Sequence, residues 1–302
     1  MTDVGNTKSA LERIREAGLK GGWEERHALL WRHAEDIRQY LYSFGIVGEG
    51  SSFIPAYVND ALARFFNTID LMAGSTTGRV LEIGANPYLF TVLLKKFADF
   101  DLTLTNFFHK SVYEKEISQG RQVVRSDAFD EEYVFDYTSL NVELSDYPFE
   151  PSSFDKILFC EVLEHVIVNP LQIVPKLREI LKPGGELIIT TPNAVRLINF
   201  AHMLAGKNFF DRYHSDNGVY GRHNREFTLS EVVKLVEGEG FRIKLAKTLD
   251  RYNYDLIDMY VDSYDEQVKL PWKGAELRAK LEAIGGNMED RGDNIYVVAE
   301  KL

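Results

Sequence analysis

Three apolar runs, each ended by a glycine or a knot of polar side chains, constrain this chain more than any other feature. The first, Arg79-Val80-Leu81-Glu82-Ile83-Gly84-Ala85-Asn86-Pro87, reads as a strand that breaks at a glycine and opens a helix. The second, Phe154-Asp155-Lys156-Ile157-Leu158-Phe159-Cys160-Glu161-Val162-Leu163-Glu164-His165, delivers two carboxylates and an imidazole at its far end. The third, Leu181-Lys182-Pro183-Gly184-Gly185-Glu186-Leu187-Ile188-Ile189-Thr190-Thr191-Pro192-Asn193, stops a helix, turns tightly and enters another apolar strand. Short continuous apolar runs of this kind mark strands buried on both faces, which requires helices above and below a parallel sheet. Open α/β sheets bind ligands just beyond the carboxyl ends of their strands, so each run sets its polar residues where a ligand would lie.

The rest of the chain alternates in the same sense. Strands are expected near Arg79–Gly84, Leu102–Asn106, Tyr133–Tyr137, Asp155–Cys160, Glu186–Thr191 and Phe241–Leu249, with a last one at Asn294–Glu300. Helices are expected near Tyr88–Ala98, Ser111–Gln119, Leu171–Leu181 and Ser230–Glu239. Ahead of the first strand, residues 1 to about 20 read as a loosely helical start. Leu29, Leu30, Ile37 and Leu41 space a helix over Trp23–Tyr42, and Gly48-Glu49-Gly50-Ser51-Ser52 breaks it. A second helix follows over Pro55–Met72, with proline in its first turn. Residues 1–77 are therefore expected to form a helical extension, and 78–302 the main domain. Two connections in that domain, 192–227 and 250–293, exceed the usual two to six residues and read as lid insertions. They are expected to hold short helices at Ala194–Ala205 and Gly274–Ile284.

Bulk properties exclude several classes. With 302 residues, 45% hydrophobic and 27% charged, the chain has the make-up of a soluble globular protein with a sizeable core. A net charge of −11 argues against a protein whose main work is gripping nucleic acid. Lys207, Arg212, Arg222 and Arg225 are the one local basic group, suited to a phosphate or a sugar. No apolar run reaches membrane-spanning length, no secretory signal is visible, and Cys160 is the only cysteine, so a cytoplasmic location is expected.

The three runs, in this order and spacing, resemble the motifs of the class I S-adenosylmethionine-dependent methyltransferases, over roughly Gly78 to Phe241. The resemblance implies an α/β, Rossmann-like, seven-stranded and mostly parallel sheet with an antiparallel last strand. It implies that the helical extension, residues 1–77, caps the substrate side, and it implies S-adenosylmethionine as cofactor, held around Glu82, Gly84, Ala85 and Asn86. Asn106 and Phe107 then stand at the ribose, Asn141 and Val142 at the adenine, and Cys160 at the end of the second run. Asn86 and Tyr88 occupy places where relatives often carry glycine, and Asn106 one where many carry an acid.

Glu161, Glu164 and His165 follow the second run at i, i+3 and i+4, which one helical turn would bring to one face. Glu-x-x-Glu-His at this strand end resembles ubiquinone-pathway O-methyltransferases. It also resembles small-RNA 2′-O-methyltransferases, in which a downstream histidine completes a Mg²⁺ site. By that resemblance Glu161, Glu164, His165 and His223 are candidate ligands for Mg²⁺ or Mn²⁺. His165 and Glu161 are equally candidates for acid–base work without a metal. Tyr57, Tyr213, His214, Arg222 and Arg225 are the candidate substrate contacts, and Gly221-Arg222-His223-Asn224-Arg225-Glu226-Phe227-Thr228 resembles methyltransferases found with bacterial polysaccharide synthesis.

The leading expectation is an O-methyltransferase acting on a sugar, sugar nucleotide or glycan precursor. Small-RNA 2′-O-methylation, a quinone or natural-product ring as acceptor, and a non-catalytic binding subunit are the alternatives. The acidic balance weighs against RNA, and the polar stretch Asn208 to Glu226 against a dry ring pocket.

Overall fold

The computed structural model describes residues 4–19, 23–72, 75–108, 111, 113–211, 219–256, 258–263 and 266–302. The N-terminal part comprises α1 (Val4–Leu19), α2 (Trp23–Arg32), α3 (Ala34–Tyr42), β1 (Gly45–Ile46) and α4 (Ile54–Leu71). The expected helix over Trp23–Tyr42 is thus two helices, broken at His33, whose ring bonds Asp36 in the first turn of α3. The core continues with β2 (Thr77–Ile83), α5 (Leu89–Phe97), β3 (Asp99–Asn106), β4 (Ser118–Ser126), β5 (Glu131–Ser139), β6 (Phe154–Cys160), α6 (Val174–Ile180) and β7 (Leu181–Pro192). After it come α7 (Leu197–Leu204), α8 (Leu229–Gly238), β8 (Phe241–Leu249), β9 (Asp258–Ser263), β10 (Glu266–Lys273), α9 (Gly274–Ala283) and β11 (Asn294–Lys301). Among the described residues no helix is long and apolar enough to cross a membrane.

Nine strands form one sheet in the order β1-β4-β5-β3-β2-β6-β7-β11-β8. Strands β5, β3, β2, β6 and β7 run parallel, and β11 lies antiparallel between β7 and β8. The seven expected strands are all present; β1 and β4 extend one edge beyond them. The helix expected over Ser111–Gln119 is not formed among the described residues: 111 and 113–117 are irregular, and β4 begins at Ser118. A β-branched pair, Val123-Val124, and Gly120, where a Cβ would fall 2.2 Å from the Tyr137 ring, favour pairing with β5 over a helix. The second insertion holds the β9–β10 hairpin as well as its expected helix.

Alternation along each strand sends side chains to opposite faces. Val80, Leu104, Leu158 and Ile188 meet α1–α5 in one apolar core. Leu81, Ile157, Phe159 and Ile189 meet α6 and α8 in a second. Helices α7 and α9 and the β9–β10 hairpin close a third, around Leu197, Val261 and Leu277. Helix α8 starts on a reciprocal cap, Thr228 receiving the Glu231 amide while Glu231 receives that of Thr228. The N-terminal helices therefore share the sheet's own core. The order of the sheet reverses at β2, which has β3 on one side and β6 on the other, so the ligand crevice is set at the carboxyl ends of these three strands.

Candidate active site

At the end of β2, Gly84 takes a left-handed φ of +75°, and a Cβ there would stand 3.0 Å from Val162. The Gly84 and Ala85 amides donate to the Thr105 carbonyl at 2.9 and 3.1 Å, holding the turn against the end of β3. The loop then passes through Asn86-Pro87 to Tyr88, itself left-handed, before α5 begins. Two bulky residues fit here because Asn106 holds them: its Oδ1 accepts the Asn86 amide at 2.8 Å and its Nδ2 donates to the Tyr88 hydroxyl at 2.7 Å. Tyr88 in turn donates to Gln122 at 2.5 Å, and Gln122 donates to Glu49 ahead of α4 at 2.7 Å. The ribose contact expected of Asn106 thus meets a buried side chain already bonded at both ends.

Beneath the loop, Glu82 is buried with Thr91 donating to Oε2 at 2.8 Å. Burial pushes its carboxyl up to about 8, the hydroxyl offsetting part of that rise. Such a carboxyl is completed by a cationic partner, and an amino acid's ammonium fits.

Two cavities meet at Ile83, Gly84, Glu161 and His165. The smaller, about 160 Å³, lies past β3 between Phe107, Leu140, Val142, Val162 and Tyr220. Asn141 borders it too, but its amide caps the following turn: Oδ1 accepts from Glu143 and Leu144, and Nδ2 donates to the Glu114 carbonyl at 3.1 Å. The larger, about 360 Å³, is within the range of small-ligand pockets.

The chemical cluster sits where the cavities join. Glu161 follows β6 with φ +54°, a strained geometry for a non-glycine residue and one that turns its carboxylate under α4. There Thr190 donates at 2.9 Å, Asn294 at 3.2 Å, and Arg64 lies 3.4 Å away. Glu161 therefore stands apart from the expected metal quartet. The remaining three, Glu164, His165 and His223, do converge, with donor atoms within 4.8 Å of one another.

His165 bonds the Arg222 carbonyl through Nδ1 at 2.9 Å, which fixes the proton there and leaves Nε2 as the acceptor, 3.9 Å from Glu164. Burial, then the neighbouring His223, pushes its pKa below the ordinary 6.5. Glu164 is buried, receives Thr191 at 2.9 Å, and is pushed up to about 8 by burial and then by Glu161. The His223 ring lies 5.1 Å from that of His165 and bonds Glu226 at 3.0 Å. Burial works against its charged form, but Glu226 and then Glu164 carry its pKa above the ordinary value. Glu226 is gripped at both oxygens by Arg196, at 2.7 and 2.9 Å. Cys160 borders the larger cavity with its thiol pushed by burial up to about 12, an unreactive state.

The wall of the larger cavity holds residues that sequence reading missed. Besides the expected Tyr57, helix α4 contributes Asp60 and Arg64, and Arg196, Arg251, Asp293 and Asn294 complete it. A signal existed in α4, where Tyr57, Asp60 and Arg64 at i, i+3 and i+7 set a polar stripe along one face of the helix. Arg222 and Arg225 do not border either cavity; Arg225 stands at the surface, paired with Glu231 at 2.6 Å. Tyr213 and His214 lie outside the described residues.

Comparison with known proteins agrees with this architecture. A family model described as "Methyltransferase domain" matches residues 52–245. No curated protein matches the chain. Among solved structures, a Haloferax volcanii methyltransferase in complex with the methyltransferase activator Trm112 aligns with a TM-score of 0.50 at 12% identity, covering 82% of this chain and 91% of that one. S-adenosylmethionine-dependent methyltransferases of Thermotoga maritima (TM-score 0.48, 16% identity, 83% of this chain and 97% of that one) and Archaeoglobus fulgidus (0.46, 15%, 82% and 94%) have similar structures.

Proposed function

The chain belongs to the methyltransferase-domain family and is an S-adenosylmethionine-dependent methyltransferase, and from that premise we propose that it methylates a hydroxyl of a sugar, sugar nucleotide or glycan precursor. The observation that carries the reading is His165, whose Nδ1–H is spent on the Arg222 carbonyl and whose Nε2 is held as a neutral acceptor where the cavities meet. When bound, S-adenosylmethionine supplies a methyl group on a sulfonium. The Gly84 turn makes room for its amino-acid part, Glu82 pairs the ammonium, and the smaller cavity takes the adenosyl group. In the transfer, the acceptor oxygen gains the methyl as the S–CH₃ bond breaks, and His165 Nε2 takes the hydroxyl proton. Helix α4, from the N-terminal extension, walls the acceptor side, which supports reading residues 1–77 as a substrate cap.

A second reading rests on the convergence of Glu164, His165 and His223. Both imidazoles have Nδ1 bonded to oxygen, the outer-sphere arrangement typical of histidine ligands. A divalent cation such as Mg²⁺ or Mn²⁺ held by these three residues would supply Lewis acidity at the acceptor hydroxyl. One experiment tests both. Labelled methyl transfer into glycan, RNA and lipid-soluble fractions is counted with and without EDTA, for wild type and His165→Ala. Glycan label that survives EDTA and is lost at least 100-fold in the variant, with S-adenosylhomocysteine affinity kept, supports His165 as base. Loss under EDTA moves the reading to the cation, and label in RNA or in the lipid-soluble fraction refutes the glycan acceptor.

A further inference from the structure

We propose that the part of the acceptor that does not react seats in a cradle of internally neutralised ion pairs under α4, which takes an uncharged, polyhydroxylated ring and turns away rings bearing phosphate or carboxylate. The proposal deepens the hydroxyl-acceptor reading above and rests on it.

Three guanidinium groups border the larger cavity, and each already has a carboxylate. Arg64 faces Glu161 at 3.4 Å; Arg196 grips Glu226 at 2.7 and 2.9 Å; Arg251 pairs with Asp60 and lies 3.9 Å from Asp293. Four carboxylates thus face three guanidiniums and the His223 imidazole, which borders the cavity and shares Glu226 with Arg196, from segments far apart in the chain. Among the described residues that border the cavity, an anionic acceptor finds no surplus positive charge. On a free arginine N–H it sits beside the paired carboxylate and is repelled by it, and displacing that carboxylate from a partly buried pair leaves it uncompensated.

A hydroxyl meets no such penalty, because it donates and accepts at once. Each guanidinium carries five N–H donors and each carboxylate about four acceptor positions; Arg196, Asn199 and His223 fill those of Glu226, but Asp60 receives Arg251 and Tyr252 at one oxygen and keeps the other, so the Arg251–Asp60 pair has free valence on both sides. One hydroxyl can accept from an arginine and donate to the neighbouring carboxylate without separating them. The carboxamide of Asn294, beside Glu161, adds a further donor and acceptor. The cradle also has an apolar floor: Tyr57 packs 6.2 Å from Phe65, which packs 5.3 Å from Phe90, and all three border the cavity. A sugar ring presents hydroxyls at its edge and C–H groups on its faces, matching polar walls over an aromatic floor.

The test uses the purified full chain with labelled S-adenosylmethionine and a pool of methyl glycosides and oligosaccharides, separated afterwards by ion exchange into neutral, anionic and cationic products. Matched pairs (hexose against hexuronate, and hexose against hexose 6-phosphate) are then assayed singly. The expected result is label in the neutral pool, with kcat/KM for each neutral member at least tenfold above its anionic partner. Asp60→Asn uncovers the charge on Arg251 and should narrow that gap several-fold while S-adenosylhomocysteine binds as tightly as in wild type. If the variant fails to bind it and is misfolded, the matched pairs alone decide. Equal or better turnover of a uronate or phosphate overturns the cradle and leaves the hydroxyl-acceptor reading standing. Label in amino groups, or in no pool at all while S-adenosylhomocysteine binds, refutes both.

Discussion

Replacing Glu82 by glutamine should make the empty protein more stable and cofactor binding worse. Burial holds this carboxyl up to about 8 against an ordinary value of 4.5. Below pH 4.5 the folded and unfolded chains both keep the proton, and the residue costs nothing through ionisation. Between 4.5 and 8 only the unfolded chain releases it, so stability falls by about 1.4 kcal/mol per pH unit; above 8 both are ionised and the penalty is constant. The cost is therefore about 1 kcal/mol at pH 5, about 3 at pH 7 and near 5 at pH 9. Glutamine keeps the shape and can still accept from Thr91, but does not titrate. For 302 residues, an advantage of about 3 kcal/mol corresponds to about 5 °C in melting temperature. The check is a set of melting curves for both ligand-free proteins at pH 5, 7 and 9, with calorimetry of S-adenosylhomocysteine at pH 7.5. Glu82→Gln should melt progressively higher than wild type as pH rises and bind the ligand at least tenfold more weakly. A gap that stays flat with pH, or a variant that melts lower at pH 9, refutes the argument that burial strains this carboxyl.

Three further outcomes follow from the geometry. Removing the positive charge beside His165 by His223→Ala should move the acid limb of the kcat/KM profile to higher pH, because a neighbouring cation makes His165 harder to protonate; a limb that stays put or moves down contradicts that electrostatic account. Asn106→Ala strips the Asn86 amide of its partner, a loss of about 1–3 kcal/mol for a group left unpaired, and leaves the Tyr88 hydroxyl only its bond to Gln122. Its expected signature is a tenfold or greater loss of S-adenosylhomocysteine affinity by calorimetry, with kcat at saturating cofactor changed far less. Gly84→Ala pays about 1–2 kcal/mol for the left-handed backbone and a further clash with Val162, so Val162→Ala should restore part of its stability but not all; full restoration shows that the backbone penalty is absent.

The parallel sheet and the loop after β2 were legible because they depend on local signals: apolar runs, a glycine where the chain turns left-handed, and polar residues at strand ends. The segment around His223 was legible as a partner for His165 across 58 positions only through resemblance, and the rings do stand 5.1 Å apart. The helix expected over residues 111–119 gave way to an irregular stretch and the start of β4, where from Ser118 on the backbone answers to β5 and to the close approach of Tyr137 at Gly120, neither visible locally. The acceptor wall was invisible for a deeper reason. Arg251 and Asp60 lie 191 positions apart, and an arginine in a loop carries no mark of the carboxylate it will meet. Glu161 shows the same limit: spacing groups it with Glu164 and His165, whereas its left-handed backbone and Asn294 turn it the other way.

Strand β11 enters the sheet between β7 and β8, and the residues at its start, Asp293 and Asn294, border the larger cavity. Every other segment of the site precedes them in the chain. During synthesis, the cofactor loop, His165 and α4 all leave the ribosome while β7 and β8 still lack the strand that joins them. Glu161 then has no Asn294 to hold it, and Arg251 has no Asp293 behind it. The acceptor chamber is thus closed only once β11 is in place, so a chain that already carries the cofactor loop but stops short of Asp293 lacks part of the acceptor wall.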